Sequence, residues 1–429
     1  MRSLSSSIKV YAGIIIALAL LLTIMLALKV DETIPVEQRS LLTAPALLVL
    51  ALLGLAGVYL TRPAAPSAPE RRRIEWLESG ATSAYDVVDM VVWSGTGNTL
   101  RVAERLAESA RARGAGAHVF SSTGAVEPHA PARRLLGLLA PTHGFTAPWP
   151  LIKAALTLPD VRGTDAFVLV TRGGVCVAGK TVAGFEGTAA YLPAAVLALR
   201  GARVRGAGAV DMPLNWMVVV PGFAAEGVAA IVARGDAQTD AFSERLLSGE
   251  RVFGGWLQLV VGVLMLPLAL AYMVIARLVL AKMFFADERC TSCGLCAARC
   301  PHGAIRLQGR ARRPYWTYSC QNCMRCMSIC PTEAIQGGQG WLLFYVWLIS
   351  LPGAALLSAA MLGALGISAG WGAGAIRLLS GYLWIVASVW LAYAVLWLGL
   401  FVPGLRSVLS RATFTRFYRR YRGPGPLRK

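Results

Sequence analysis

Eight of the nine cysteines in this 429-residue chain fall between positions 290 and 330. Cys290, Cys293, Cys296 and Cys300 stand in CTSCGLCAARCP, and Cys320, Cys323, Cys326 and Cys330 in CQNCMRCMSICP. Both runs have the spacing C-x2-C-x2-C-x3-C-P. Three thiolates set three residues apart wrap a short loop around a metal centre. In this pattern the fourth cysteine of each run serves the cluster of the other run. The expected ligand sets are therefore Cys290, Cys293, Cys296 with Cys330, and Cys320, Cys323, Cys326 with Cys300, for two [4Fe–4S] clusters. Pro301 and Pro331 turn the chain after each fourth ligand, and Gly294 lets backbone approach a cluster. Zinc is the alternative, since C-x2-C pairs also build closed tetrahedral sites. Such sites separate two pairs by a dozen or more residues, unlike two four-cysteine runs that each end in Cys-Pro. Metal-ligand rather than disulfide spacing points to a reducing compartment.

A second stretch with chemistry is VVWSGTGNTLRVAERLAESA, residues 91–110. The turn Ser94-Gly95-Thr96-Gly97-Asn98-Thr99 lies between an apolar run that reads as a strand and an amphipathic run that reads as a helix. It is not a P-loop, because no Gly-Lys-Ser/Thr follows, and it is not G-x-G-x-x-G. It offers hydroxyls, an amide and the free N–H groups of a helix N-terminus. That set suits one terminal phosphate held without metal or lysine, such as that of flavin mononucleotide (FMN).

The cysteine region resembles a bacterial-type two-cluster ferredoxin over about fifty residues, including the Ala-Ile after each motif (Ala304-Ile305 and Ala334-Ile335). Trp316 and Tyr318 are read as packing residues rather than electron relays. The order strand, SGTGNT, helix resembles the phosphate loop of flavodoxins. APTHGFTAPWP (140–150) and TRGG (171–174) fall where that fold places its other two flavin loops, and DMPLNW (211–216) follows a fifth strand. The two halves together resemble the flavodoxin–ferredoxin fusion family, here in a membrane-anchored form. The resemblance implies FMN phosphate contacts at Ser94, Gly95, Thr96, Gly97, Asn98 and Thr99. It places the isoalloxazine near Pro141, Thr142, His143 and Gly144, and near Thr171, Arg172, Gly173 and Gly174. His143 is a candidate partner for a flavin carbonyl or for a developing anion at N1, or else a solvated loop histidine. Trp149 either flanks the ring or packs its own loop, and Cys176 is expected to be a buried, inert thiol. No catalytic residue is assigned.

These sites need elements to hold them. Short apolar runs alternate with helical stretches, such as 98–113 and 183–199, across residues 84–250. That pattern predicts a doubly wound parallel α/β sheet of flavodoxin type. Residues 284–340 form the small α+β ferredoxin-like domain. Hydrophobic residues make up 56% of the chain and charged ones only 15%, against about 25% charged in average soluble domains. Transmembrane helices are expected at about 10–28 and 41–60, and at about 341–363 and 379–402. A basic Pro/Ala-rich linker occupies 62–83, and a basic tail 404–429. The apolar segment 251–283 is long enough to cross, but the basic residues after it belong inside. A helix lying at the interface, or a re-entrant one, satisfies the positive-inside rule. Four crossings then leave every bulky domain on the cytoplasmic face of the inner membrane. The net charge of +19 flanks apolar runs and makes no basic helix for nucleic acid.

All four histidines (His118, His129, His143, His302) lie outside the expected spans, so paired haem ligands are absent there, and no nicotinamide fingerprint appears. Reducing equivalents are expected from a redox partner protein, a membrane subunit or quinone. The reading is an electron-transfer protein joining FMN to two clusters, a converter between two-electron and one-electron chemistry. The alternatives are a flavin-dependent oxidoreductase fed by the clusters, and a membrane redox sensor or scaffold.

Overall fold

The structure, a computed structural model, describes residues 82–122, 133–159, 161–177, 179–273, 277–411, 413–421 and 423. The first two expected spans and nearly all of the linker lie outside the described residues.

The first half is a parallel-sheet α/β core. Its strands are β1 (Val87–Val92), β2 (Gly116–Ser121), β3 (Arg134–Pro141), β4 (Asp165–Val177), β6 (Arg203–Pro213) and the short β7 (Val252–Phe253). They lie in the order β2-β1-β3-β4-β6-β7, with every neighbour parallel. Residues 176–183, with the three-residue β5 (Lys180–Val182), group apart from this body. The helices are α1 (Asn98–Ala112), α2 (Trp149–Thr157), α3 (Tyr191–Leu199) and α4 (Ala225–Leu247).

Period-two alternation serves two cores, because successive strand residues point to opposite faces. Val88, Met90 and Val92 pack with Val102 and Leu106 of α1 and Phe242 and Leu246 of α4. Val91 and Trp93 face the other way, with Leu151 and Ala155 of α2 and Leu197 of α3. Gly137 in β3 makes room for Phe167, whose ring would lie 2.4 Å from an added Cβ. The expected helix at 183–199 begins only at Tyr191, because Gly184 and Gly187 run against neighbouring backbone before it.

The apolar segment after β7 is not one long helix. α5 (Trp256–Leu264) and α6 (Leu266–Ala271) are parted at Met265, with Pro267 in the first turn of α6, and α7 (Arg277–Ala281) follows. Gly262 sits on the Gly187 backbone and Gln258 accepts the Glu186 N–H, so one face is seated on the core. Trp256, Leu257, Val260, Leu264 and Leu268 are exposed on the other.

The cysteine-rich domain is built twice over. β8 (Phe284–Ala286) pairs antiparallel with β11 (Ile335–Gly337), and β9 (Ile305–Gln308) with β10 (Arg313–Trp316). The short helices α8 (Leu295–Ala298) and α9 (Arg325–Ile329) follow equivalent turns. Left-handed backbone recurs at Ser292 and Asn322, Gly294 and Met324, and Gly303 and Glu333. Each pair is thirty positions apart, so the duplication extends to the dihedral angles.

Beyond it stand α10 (Gln339–Ser350), α11 (Gly353–Leu365) and α12 (Trp371–Gly399). The stretch Phe344–Leu365 and α12 are each long and apolar enough to cross a membrane, with 6% and 28% of their most apolar windows buried. The last helix starts at Trp371 rather than 379, which takes Arg377 into its second turn instead of its outer edge. The chain then turns through α13 (Pro403–Arg411) and a 3-10 turn at Phe414–Phe417, and returns across the cysteine-rich domain.

Candidate redox site

The two crossed cysteine sets each line one cavity. Cys300, Cys320, Cys323 and Cys326 surround about 340 Å³ of empty space together with Phe284, His302 and Trp316. Cys290, Cys293, Cys296 and Cys330 surround about 380 Å³ with Leu307, Arg312 and Pro331. Among the described residues no three His, Cys, Asp or Glu side chains converge on a single-ion position.

The thiols differ in surroundings. Cys320 is buried while Cys293 is exposed. Burial pushes the Cys296 and Cys320 thiols up to about 12. A metal centre is what would ionise them, since coordination deprotonates a thiol outright. The Ala304 N–H reaches the Cys300 sulfur at 3.3 Å and the Asn322 N–H the Cys320 sulfur at 3.5 Å. Trp316 is fully buried on the wall of the first cavity, and its side chain hydrogen-bonds toward the Cys326 sulfur.

The second site lies at the C-terminal ends of the parallel strands, where open α/β sheets bind ligands. It is a cleft of about 1230 Å³. β3 ends opposite β4 with Pro141 beside Thr171, and Arg172 of β4 lies beside Asp211 of β6. Ser94, Gly95, Thr96, Asn98, Thr99, Pro141, Thr142, His143, Gly144, Thr171, Arg172 and Gly173 all line the cleft. Gly97 caps α1 with φ 103° and no side-chain bond of its own, and among the first N–H groups of the helix that of Leu100 reaches the Ser94 Oγ at 3.4 Å. Thr142 Oγ1 is buried without a partner. Gly174 does not reach the cleft, and Trp149 is exposed at the start of α2 and lines nothing here.

Other groups are already engaged. Arg172 is bound to Glu186 at 2.6 Å and to Asp211 at 2.8 Å, so its charge is balanced within the wall. Thr99 and Thr171 share a hydrogen bond at 2.9 Å. Asn98 donates to the Pro213 carbonyl and accepts from the Tyr421 hydroxyl, and Asn215 donates to Thr96. His143 is no solvated loop residue. It is half-buried, lies edge-on to Trp93 at 4.9 Å and faces Tyr272, and burial together with nearby His302 lowers its pKa to about 4. It is therefore a neutral imidazole at pH 7, able to donate to a carbonyl but not to supply a charge. Cys176 is half-buried and does not line the cleft.

Of the remaining wall, Phe145 and Trp216 lie in stretches already singled out in the sequence, whereas the rest was not visible in local pattern. Phe145, Phe185, Trp216 and Tyr272 supply the aromatic surface, and Asn322, Cys323 and Met324 enter from the cysteine-rich domain. Arg325 fastens that entry by donating to the Ser94 carbonyl at 2.8 Å and the Gly95 carbonyl at 3.0 Å. Cys323 thus lines both the cleft and the first cysteine cavity.

Residues 282–331 match the family model described as a 4Fe-4S dicluster domain. The chain carries a 4Fe-4S dicluster ferredoxin domain. A ferredoxin of Pyrobaculum islandicum is 35% identical over 49 residues, which is 11% of this chain and 46% of that protein. The chain therefore spans about half the length of that curated relative. Among solved structures, rubredoxin oxygen:oxidoreductase from Desulfovibrio gigas is similar at 14% identity, over 40% of this chain and 39% of that one. With a TM-score of 0.21 this likeness carries no argument. The ferredoxin domain accounts for the iron–sulfur site and for a role in electron transfer.

Proposed function

We propose that this protein is a membrane-anchored member of the flavodoxin–ferredoxin fusion type, joining FMN in the α/β cleft to two [4Fe–4S] clusters. The position of Cys323, in the wall of both sites, is the observation that carries this reading. A flavin in the cleft would lie against a ligand of the Cys300/Cys320/Cys323/Cys326 cluster, with no intervening domain movement required. The β2-β1-β3-β4-β6 order of the long strands is the 2-1-3-4-5 order of flavodoxin-like sheets, which supports the same assignment.

The cleft suits the cofactor. The start of α1 offers N–H groups to a terminal phosphate, and the unmet Thr142 hydroxyl is one further polar group for the ligand. Bound FMN would exchange electrons in pairs or singly, and each cluster one at a time. The chain's own residues do the rest. Arg325 holds the cluster loop against the phosphate turn, and His143 presents a neutral ring to the cleft. The aromatic wall of Phe145, Phe185, Trp216 and Tyr272 excludes water. The apolar helices anchor the assembly, with α5 and α6 lying at the interface and the redox domains on the cytoplasmic face. Donor and acceptor are a redox protein or a membrane subunit, with quinone as a further candidate.

Anaerobic purification in detergent, with iron, sulfide and flavin counted per chain and EPR recorded after dithionite, tests this directly. About eight irons with one FMN support the reading. Iron without flavin, or zinc in place of iron, overturns it.

A further inference from the structure

Lys282 is among the largest fully buried side chains of the protein, 1% exposed, and no carboxylate bonds it among the described residues. Its ammonium donates to the Trp316 carbonyl at 2.5 Å and to the Tyr315 hydroxyl at 3.3 Å. It lies 4.5 Å from the ring centres of Tyr315 and Tyr318 and 4.4 Å from that of Tyr393. Three aromatic faces on one ammonium make a cation–π cage. The cage is assembled from both sides, since Tyr315 and Tyr318 belong to the ferredoxin domain and Tyr393 to the apolar helix α12. Tyr393 is itself fixed, accepting the Trp316 N–H at 3.2 Å and donating to the Phe284 carbonyl at 3.2 Å. Tyr345 of α10 donates to the Lys282 carbonyl.

A buried charge is retained where something of opposite sign faces it. Here no carboxylate among the described residues supplies it, and the group of opposite sign that acts on Lys282 is the Cys320 sulfur. Trp316, whose carbonyl holds the ammonium, and Phe284, two residues along the chain, both line the cavity of Cys300, Cys320, Cys323 and Cys326. A cube held by four thiolates is anionic when oxidised and gains one more negative charge on reduction. An ammonium in its low-dielectric wall favours the reduced form more than the oxidised one.

We infer that Lys282 is the charge that sets the reduction potential of the Cys300/Cys320/Cys323/Cys326 cluster, the one beside the flavin cleft. It acts from a tyrosine cage that the membrane helix α12 completes. This rests on the iron–sulfur reading of those cysteines. The tuning raises the potential of the inner cluster relative to a neutral wall. The membrane segment is thereby part of the redox site and not only its anchor.

The test is EPR-monitored redox titration of the full-length protein in detergent, comparing wild type with K282Q, K282M and K282R. The Gln amide can still donate to the Trp316 carbonyl but carries no charge. K282Q is expected to lower one of the two cluster steps by at least tenfold in its equilibrium constant, about 59 mV for one electron. The other step stays in place, and K282R restores the wild-type value. Unmoved potentials in fully loaded K282Q, or equal shifts in K282Q and K282R, overturn the inference. If K282Q and K282M assemble no cluster while K282R does, the charge is shown to be required at that site. If K282R fails with them, side-chain fit is responsible and the inference falls. Absence of iron in the wild type would instead sink the underlying cluster reading.

Discussion

Gly95 offers the sharpest test of whether the phosphate turn and the inner cluster loop form one unit. A Cβ added there would lie 1.9 Å from the Cys323 carbonyl oxygen, 2.8 Å from its carbonyl carbon and 3.0 Å from its Cβ. The obstacle is mostly backbone, so no rotamer change relieves it. Bringing the oxygen out to 3.0 Å requires the loops to part by 1.1 Å, the difference between 3.0 and 1.9. Arg325 resists that parting through its bonds to Ser94 and Gly95. Overpacking against fixed groups costs about 1–3 kcal/mol, and each lost bond from a charged donor about 1.5–3 kcal/mol. Gly95→Ala should therefore lower the thermal midpoint of the α/β domain, at about 2–4 °C per kcal/mol for domains of 150–250 residues. The control is Gly254→Ala, since Gly254 has nothing within 4 Å of an added Cβ. Melting is followed by tryptophan fluorescence in detergent, flavin retention by desalting, and internal electron passage by anaerobic stopped flow. G95A should melt lower, lose flavin and slow the passage, with its iron content kept. If G95A matches G254A in all three, the loops do not meet as described and the shared wall is refuted.

Three further outcomes are expected. Cys330→Ser removes a ligand from the outer set only, so under the proposed function the chain should lose about four irons while the flavin proposed for the cleft is still reduced by the remaining cluster; loss of the flavin-linked signal instead would contradict the crossed assignment. His143 has its pKa lowered to about 4 by burial and by His302, so its ring resonances in NMR should stay flat from pH 8 down to 5. Its neutral burial stabilises the fold fully above the unfolded value of 6.5, and that stability is lost as pH falls from there through 4. A midpoint near 6.5 would mean the ring is solvated. Glu288 is raised by burial but brought down to about 2 by bonds from Ser410 and Arg416. A depressed carboxylate contributes stability above its unfolded value of 4.5, lost as pH falls through 2. Proteolysis between α12 and the C-terminus should accelerate at pH 3 and below but not at pH 5, and E288Q should show the acid rate already at neutral pH.

The cysteine ligands were legible because coordination imposes short-range spacing, and nothing distant has to be known to read C-x2-C-x2-C-x3-C-P. The strand-to-helix turn at 94–99 was legible for a related reason. Gly97 at φ 103° and the hydroxyl-rich positions around it are local demands of a strand-to-helix turn. The rest of the cleft depended on packing between segments far apart. Tyr272 comes from an apolar stretch that looks like a span, Tyr421 from a tail that reads only as basic, and Asn322 to Met324 from the interior of a metal motif. Periodicity says which face of an element is apolar, not which distant element will meet it. Trp149 shows the converse error, an aromatic in a flavin-loop position that points outward. The interruption in the apolar segment 251–283 falls beside Pro267, a helix breaker that the sequence displays, whereas the early start of α12 was hidden by the glycines of GISAGWGAGA. A run of helix-weak residues reads as a loop until surrounding apolar contacts hold it.

The two cysteine sites are unequal, and the inequality gives the proposed chain a direction in space. The inner set includes buried Cys320, shares Cys323 with the cleft and is backed by the caged Lys282. The outer set includes exposed Cys293, with Arg312 on its wall and Arg299, Arg306 and Arg310 exposed on the same domain. Asp287 and Glu288, nearby acids, are already matched by Arg289 and Arg416. In the proposed reading a diffusing partner would therefore reach the outer set first, with Arg312 on its wall, whereas the inner set is enclosed by the α/β cleft and apolar helices. A potential raised at the inner cluster makes it the natural resting place for an electron between a partner at one end and a two-electron cofactor at the other. The converter then needs no moving part. In the proposed reading, one-electron arrivals would be held next to a bound flavin until the second comes, by a charge that the apolar helix α12 keeps in place.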